Sequence, residues 1–233
     1  MKSGIRALFR YFSLAERLLW CASVLLIVGS FCLFDRSGFA TLAASLIGVT
    51  ALIFNAKGNP IGQALMILFA VFYGVISYSF SYYGEMITYL GMSAPMALFA
   101  LISWLRHPYT GKHAEVAVNT VRAPEQLLMW LLTIGVTVGF YFILRALGTA
   151  NLIPSTVSVT TSFLAVYLTF RRSPFFALAY AANDVVLLVL WSLATRENRA
   201  YLSVVICFAA FLANDLYGFL NWQRMKKRQA ASG

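Results

Sequence analysis

Two copies of the pair Asn-Asp, at Asn183-Asp184 and Asn214-Asp215, each follow an alanine inside a strongly apolar stretch. A carboxylate at the centre of a membrane helix costs about 2.5–3.5 kcal/mol to insert. Ionisable residues at such positions usually face a polar cavity or a transport path rather than lipid. The two pairs therefore predict a polar site inside a helix bundle, where amides form hydrogen bonds and carboxylates attract positive charge.

Aromatic and hydroxyl side chains at helical spacing extend this site. Trp191 lies seven residues after Asp184, and Tyr217 lies three residues after Asn214, so each pair shares one helix face. An earlier apolar stretch carries a further group of polar aromatic and hydroxyl residues. The predicted substrate-binding residues are Tyr73, Ser77, Tyr78, Asn183, Asp184, Trp191, Asn214, Asp215 and Tyr217. Such a set suits a flat, polar small molecule, including a cationic one.

The chain lacks the residue patterns of an enzyme or a metal protein. It has no glycine-rich phosphate loop, no nucleophile–base pair and no metal-ligand cluster. Cys21, Cys32 and Cys207 fall in apolar stretches, where cysteine acts as a small hydrophobic residue. His107 and His113 stand in a polar loop without a cysteine nearby. We therefore expect no catalytic residue, no metal site, no cofactor and no enzyme activity.

Composition places the chain among multi-pass membrane proteins. Of its 233 residues, 61% are hydrophobic and 11% are charged, with a mean hydropathy of +0.76, whereas soluble domains carry about 25% charged residues. The apolar stretches are about 20 residues long, enough to cross roughly 30 Å of hydrocarbon. The eight predicted spans are 18–34, 38–56, 61–81, 86–105, 125–147, 152–170, 174–194 and 199–220. The net charge of +10 resides in loops and tails, which indicates membrane topology rather than nucleic-acid binding.

The last three spans repeat features of spans two to four. Span four ends in Ser-Trp-Leu-Arg at 103–106, and span eight ends in Asn-Trp-Gln-Arg at 221–224. The polar breaks at 57–60 and 171–174 also correspond. Because an even number of crossings separates the triplets, they run in the same direction. The pattern predicts an all-α fold with a parallel 3+1+3 repeat, which transporters build around a central site.

These features divide the chain into segments. They are a cytoplasmic amphipathic N-terminus at 1–17, an extra N-terminal transmembrane helix at 18–34, a first three-helix repeat at 38–105, a cytoplasmic loop at 106–124, a linker helix at 125–147, a second three-helix repeat at 152–224 and a basic cytoplasmic tail at 225–233. Within the first segment, apolar and basic residues from Ile5 to Leu19 fall on opposite helix faces, which predicts a helix in the membrane interface.

Two runs of sequence are similar to one known family. They are YSFSYYGEMITYLGMSAPMALFALISWLRHPYTGKHAEV at 78–116 and LANDLYGFLNWQRMKKRQ at 212–229. They resemble the PnuC family of bacterial vitamin B3 transporters, and the similarity extends from about residue 38 to 229. The resemblance implies a SWEET-like fold and a homotrimer with one pathway per protomer. By the same resemblance, Asn183, Asn214 and Tyr217 match family positions that line the substrate path.

The resemblance also implies a function. It is facilitated diffusion of nicotinamide riboside across the bacterial inner membrane for NAD synthesis, with a cytoplasmic nicotinamide riboside kinase that traps the product. Two alternatives stay open. One is a transporter of the same fold for thiamine, riboflavin or another aromatic vitamin. The other is a membrane scaffold without transport, in which the Asn-Asp pairs join helices by hydrogen bonds.

Both termini are predicted to lie in the cytoplasm. In the eight-span arrangement, 14 of the 18 basic residues fall on the cytoplasmic side, in agreement with the positive-inside rule. A reporter fused to the C-terminus should therefore be active in the cytoplasm, and one inserted between spans five and six should be active outside. A C-terminal reporter that is active outside would contradict the arrangement.

Overall fold

The structure, a computed structural model, describes residues 11–36, 38–79, 86–109, 112–149, 151–196 and 198–232. Within these ranges the chain forms eight long helices and one β-hairpin. The helices are α1 Leu14–Phe34, α2 Phe39–Ala56, α3 Ile61–Ser79, α4 Ala94–Arg106, α5 Ala123–Ala146, α6 Leu152–Phe170, α7 Phe176–Ala194 and α8 Leu202–Ala231. A π-helix at Thr88–Ser93 runs directly into α4, and a 3₁₀ turn at Arg199–Tyr201 precedes α8. The hairpin strands are β1 Pro108–Tyr109 and β2 Lys112–Val116.

The helices have the length and composition of membrane spans. In the described part of the chain, seven helices are long and apolar enough to cross a membrane, and α3 contributes a shorter apolar stretch, Ile61–Ile76. Large apolar side chains are exposed on the outer helix faces, such as Leu25 at 72% and Leu127 at 63%. A continuous apolar exterior of this kind is solvated by lipid. The predicted all-α architecture with eight helices is confirmed.

Several helix ends differ from their predicted positions. Helix α1 begins at Leu14 rather than 18, because Ser13 and Glu16 form a capping box. Helix α8 continues to Ala231, so most of the predicted basic tail is helical. Residues 1–10, which include the first six residues of the predicted amphipathic helix, lie outside the described residues.

The predicted loop at 106–124 contains the β-hairpin, whose strands were not predicted from the sequence. Its strands pair Pro108 with Val116 and Tyr109 with Lys112. Val116 is fully buried, and Glu115 forms a salt bridge with Arg228 of α8. The hairpin therefore covers one end of the helix bundle, where α2, α4 and α6 end and α7 begins. This end is called the hairpin end below.

The turns α2–α3 and α6–α7 at the hairpin end have the same backbone geometry. Gly58 and Arg172 both adopt left-handed conformations, with φ of 66° and 57°. The Gly58 N–H donates to Asn55 O at 2.9 Å, and the Arg172 N–H donates to Thr169 O at 2.9 Å. Glycine adopts this conformation without steric cost, whereas arginine does not. Burial beside Arg171 also lowers the pKa of Arg172.

Two buried tryptophans connect the helices at the hairpin end. The Trp104 indole N–H donates to Thr169 O at 2.9 Å, and the Trp222 indole N–H donates to Asn55 O at 2.8 Å. Their rings lie 5.4 Å apart, and both side chains are fully buried. Each acceptor is the next-to-last residue of its helix, α6 or α2. The two bonds therefore cross, so that α4 is tied to α6 and α8 is tied to α2.

Helix α1 is held to the bundle through the carboxylate of Glu16, which is 2% exposed. Lys57 Nζ lies 3.1 Å from Glu16 Oε2, and the Ser13 N–H donates to the same oxygen at 2.7 Å. The Tyr217 hydroxyl donates to Glu16 Oε1 at 3.1 Å. This carboxylate thus joins α1 to the α2–α3 turn and to α8.

Replacement of Glu16 by alanine is predicted to destabilise the protein strongly. It leaves Lys57 without its anion and Tyr217 without its acceptor, and breaking a buried pair costs about 3 kcal/mol. Thermal unfolding of detergent-purified protein should show a large fall in Tm. The matched control is Glu115→Ala, because its partner Arg228 is 57% exposed and such pairs contribute about 0–1 kcal/mol. Equal losses in the two variants would contradict the structural role of Glu16.

Candidate functional site

A cavity of about 520 Å³ lies at the centre of the bundle. Small-molecule sites in proteins typically enclose about 300–1,000 Å³. Its lining comes from the π-helix and from every helix from α2 to α8, and it reaches Gly148 and Asn151 between α5 and α6. Tyr180 lines it towards the hairpin end. The cavity therefore runs from the middle of the bundle towards the end opposite the hairpin.

Helix α7 supplies one residue of the lining at nearly every turn. Tyr180, Asp184, Leu187 and Trp191 follow one another at spacings of three or four, so they share one face of the helix. Asn183 lies next to this stripe and is 7% exposed. It lies about 10 Å along the axis from the first residue of α7, at 1.5 Å per residue. The polar side chains are thus placed well inside the bundle.

The side-chain amide of Asn183 is held by α6. Ser158 Oγ lies 3.0 Å and Thr161 Oγ1 lies 2.9 Å from Asn183 Oδ1. Because two hydroxyl groups on a neighbouring helix fix this amide, its position is set before any ligand arrives. A preorganised polar group loses little conformational entropy when a ligand binds.

Asp184 and Asp215 form a carboxyl pair across α7 and α8. They are 4% and 5% exposed, and both line the cavity, Asp184 from α7 and Asp215 from α8. Asp184 Oδ2 is buried without a hydrogen-bond partner among the described residues. Two carboxyl groups that share a buried site resist ionising together, and a cation beside them favours their ionised form. Of the described residues that line the cavity, none is lysine, arginine or histidine.

The π-helix before α4 brings three polar residues to the lining, Thr88, Tyr89 and Ser93. Pro95 lies in the first turn of α4 and cannot donate the backbone hydrogen bond to Gly91. The helix widens there into i→i+5 bonding, a distortion found often at functional sites. These residues were not predicted from the sequence. A proline that follows polar residues in an apolar stretch could have indicated the distorted helix that presents them.

A hydroxyl face on α6 was also missed. Ser155, Ser158 and Ser162 follow one another at helical spacing, and all three line the cavity. Serine and threonine are common in membrane helices as packing residues, so the composition of α6 alone did not single them out. The regular spacing of hydroxyl groups on one face would have identified them.

Four of the nine predicted binding residues line the cavity: Asn183, Asp184, Trp191 and Asp215. Asn214 is instead buried against α1, where its amide nitrogen donates to Ser23 Oγ at 2.9 Å. Tyr217 donates to Glu16 and belongs to the α1 contact. The structure therefore assigns Asn214 and Tyr217 contacts between helices rather than a place in the lining.

The predicted residues of α3 also lie away from the lining. Tyr73 is buried behind the cavity wall, with its ring 4.9 Å from Phe69 and 5.1 Å from Tyr89. Tyr78 is 63% exposed, and the side chain of Ser77 lies outside the described part of the structure. Helical spacing groups the residues of a face correctly, but it does not say which way that face points.

Comparisons with known proteins agree with the membrane architecture. The model of the family described as "Nicotinamide mononucleotide transporter" matches residues 38–224. The "Nicotinamide riboside transporter PnuC" of Neisseria mucosa is 26% identical over 203 residues, covering 84% of this chain and 76% of the relative. The protein of the same name from Haemophilus influenzae is 21% identical and covers 80% of each chain.

A solved structure is also similar to this chain. It is titled "Crystal structure of the Vitamin B3 transporter PnuC", and it superposes with a TM-score of 0.80 at 22% identity, covering 94% of both chains. The two proteins share a fold. The family match extends over most of the chain, including every helix that lines the cavity. The chain therefore belongs to the nicotinamide mononucleotide transporter family, together with the PnuC proteins that it resembles.

Proposed function

We propose that this protein is a transporter that carries nicotinamide riboside into the cell by facilitated diffusion, for NAD synthesis. The observation that carries the proposal is the central cavity, with an amide on α7 and a carboxyl pair between α7 and α8. Relatives named nicotinamide riboside transporters, 26% and 21% identical to this chain, support it. The chain itself acts as a membrane transporter rather than as an enzyme.

The chemistry of the cavity matches the chemistry of this ligand. Nicotinamide riboside has a flat, positively charged ring, a carboxamide and a ribose. The carboxyl pair Asp184–Asp215 attracts the positive charge, and the rings of Tyr180 and Trp191 offer surfaces for stacking. Asn183 suits the carboxamide, and the serine hydroxyls of α6 suit the ribose.

The riboside fits the cavity better than the mononucleotide for which the family is described. A phosphate carries about two negative charges near neutral pH and is usually bound by arginine, lysine or a helix N-terminus. Acidic groups line the cavity, and its described lining holds no basic side chain. Phosphate in this position would be repelled by Asp184 and Asp215.

The proposal includes a parallel 3+1+3 arrangement of the SWEET-like type, with α1 as the extra helix. The matching turns at Gly58 and Arg172 and the crossed bonds of Trp104 and Trp222 support it. Each relates α2–α4 to α6–α8, with α5 as the linker. A central cavity between two such triplets is the usual transporter arrangement.

The proposal also covers location and assembly. The protein resides in the bacterial inner membrane with both termini in the cytoplasm, as the distribution of basic residues indicates. It forms a homotrimer, and a cytoplasmic nicotinamide riboside kinase traps the imported ligand. Trapping supplies the net flux, because a facilitator by itself only equalises concentrations across the membrane.

Transport by purified protein in liposomes tests the function. Labelled nicotinamide riboside should enter without an ion gradient, reach the external concentration and stop. The mononucleotide should bind at least about tenfold more weakly, a difference of about 1.4 kcal/mol. Thiamine and riboflavin serve as competitors. Preferred entry of thiamine or riboflavin, or equal affinity for the mononucleotide, would contradict the proposed ligand, and absence of any uptake would favour a scaffold.

Asn183→Leu is predicted to weaken binding of the riboside by roughly 5- to 150-fold without unfolding the protein. The change removes the amide and leaves its ligand partner unpaired, a loss of about 1–3 kcal/mol. Isothermal titration measures the affinity, and size-exclusion chromatography measures folding. The matched control is Asn221→Leu, which loses a hydrogen bond to Ala56 O outside the cavity. Retained binding in Asn183→Leu would show that this amide only joins α6 to α7.

A further inference from the structure

We propose that the crossed tryptophans Trp104 and Trp222, together with the segment 116–119, form the gate that closes the hairpin end of the transport path. The proposal rests on the proposed transport function and goes beyond it by naming the contacts that must break for the ligand to leave at that end. It follows from four features of the hairpin end.

The first feature is a buried aromatic plug beyond the cavity. Trp104, Phe176 and Trp222 are at most 2% exposed, and the Phe176 ring lies 4.9 Å from that of Trp222. Phe176 is one turn before Tyr180 on α7, and their rings are 6.3 Å apart. Because Tyr180 lines the cavity, the plug separates the cavity from the hairpin end.

The second feature is the reciprocity of the two indole hydrogen bonds. One indole joins α4 to α6, and the other joins α8 to α2. Each bond therefore connects one helix triplet to the other. Any movement that separates the triplets at this end must break both bonds. Each triplet thus contributes one hydrogen-bond donor that opposes opening.

The third feature is a backbone strap formed by residues 116–119. The Val116 N–H donates to Gly58 O at 3.0 Å, and the Asn119 N–H donates to Arg172 O at 3.0 Å. The Asn119 side-chain amide also donates to Arg171 O at 3.0 Å. The strap thus binds the carbonyl group of the left-handed residue in each of the two corresponding turns, and it spans the joint between the triplets.

The fourth feature is the close approach that Gly58 permits. A Cβ atom at this position would lie 2.8 Å from Met225 Cε and 3.3 Å from Val116 Cγ1. Gly58 also has a φ of 66°, which most side chains disfavour. The strap can lie against the α2–α3 turn and α8 because this residue has no side chain.

The opposite end of the bundle differs. There the cavity lining reaches Gly148, Thr149, Asn151 and Ala194, at the ends of α5 and α7 and the start of α6. Among the described residues, the plug therefore closes the cavity towards the hairpin end, and the cavity extends towards the other end. Alternating access requires a second state in which this relation is reversed.

Thiol labelling from each side of the membrane tests the gate. The exposed residues Cys21 and Cys32 are replaced by serine, and Ser162→Cys places a reporter in the cavity. A charged, membrane-impermeant methanethiosulfonate is added to vesicles of both orientations, and protease cleavage of a C-terminal tag identifies the hairpin side. The parent should react mainly from the side opposite the hairpin.

Trp104→Phe and Trp222→Phe keep an aromatic side chain, although a smaller one, and remove the N–H donor. Each should raise the labelling rate from the hairpin side by about two- to tenfold, since each loses one buried hydrogen bond that favours the closed state. Asn119→Ala should act in the same direction. The matched control is Trp20→Phe, which loses a hydrogen bond to Thr50 Oγ1 at 3.2 Å outside the plug and should leave labelling unchanged.

Unchanged hairpin-side labelling in both folded tryptophan variants would overturn the gate, and so would equal labelling of the parent from both sides. Labelling needs no transport, so its outcome is separate from that of the liposome assay. A chain that shows the predicted labelling but no riboside uptake would retain the gate and lose the proposed ligand.

Discussion

The structure depends on the absence of water from the hydrocarbon layer, which leaves each polar group to find a partner within the protein. The backbone meets this requirement by forming helices. The polar side chains meet it in two ways. Some join helices to one another, as Asn214 joins α8 to Ser23 of α1. Others line a shared cavity, as Asp184 and Asp215 do. The first group fixes the bundle, and the second group is available to a ligand.

The same need for hydrogen-bond partners explains the contacts at the hairpin end. Helices that end near the membrane boundary leave carbonyl groups without intrahelical donors. Here the indole N–H groups of the two tryptophans donate to the carbonyl groups of Asn55 and Thr169. Backbone N–H groups of the strap donate to the carbonyl groups of Gly58 and Arg172. The groups that complete the helix ends thereby also hold the two triplets together. Stability and closure at this end consequently depend on the same contacts.

The chemistry of the cavity follows from which charges reach it. The chain has an excess of basic residues, yet the described lining contains acidic ones and no basic side chain. The described basic residues lie in the loops and in the terminal turns of helices, the positions at which basic residues of membrane proteins usually meet water and lipid headgroups. The interior is therefore suited to a cation although the protein as a whole is positively charged. The net charge of the protein thus gives no indication of the charge at its centre, which the carboxyl pair determines.

Much of the fold could be predicted from the sequence because it depends on local properties. The positions and lengths of the apolar stretches predicted the helices and their order. The polar breaks at 57–60 and 171–174 predicted two corresponding turns. The two short runs quoted for the family resemblance were sufficient to identify the family, as the match over residues 38–224 confirms. The hairpin was missed, because its strands are short and depend on Val116 packing against α8 and the α2–α3 turn.

The lining of the cavity was predicted only in part, because the rotation of each helix depends on distant partners. Asn183 and Asn214 stand in two copies of the same tripeptide, Ala-Asn-Asp. Nevertheless, Asn183 lines the cavity, whereas Asn214 forms a hydrogen bond with α1. No local sequence feature distinguishes the two asparagines. The contact of Asn214 is determined by Ser23, which lies 191 residues away in the chain. The π-helix that presents Thr88 and Ser93 likewise changes the face that spacing alone would assign. The sequence by itself determined the membrane class, the helices and the family, since these follow from hydrophobic length and local motifs. Only the tertiary structure decided which polar groups meet at the centre, since that follows from contacts between helices far apart in the chain.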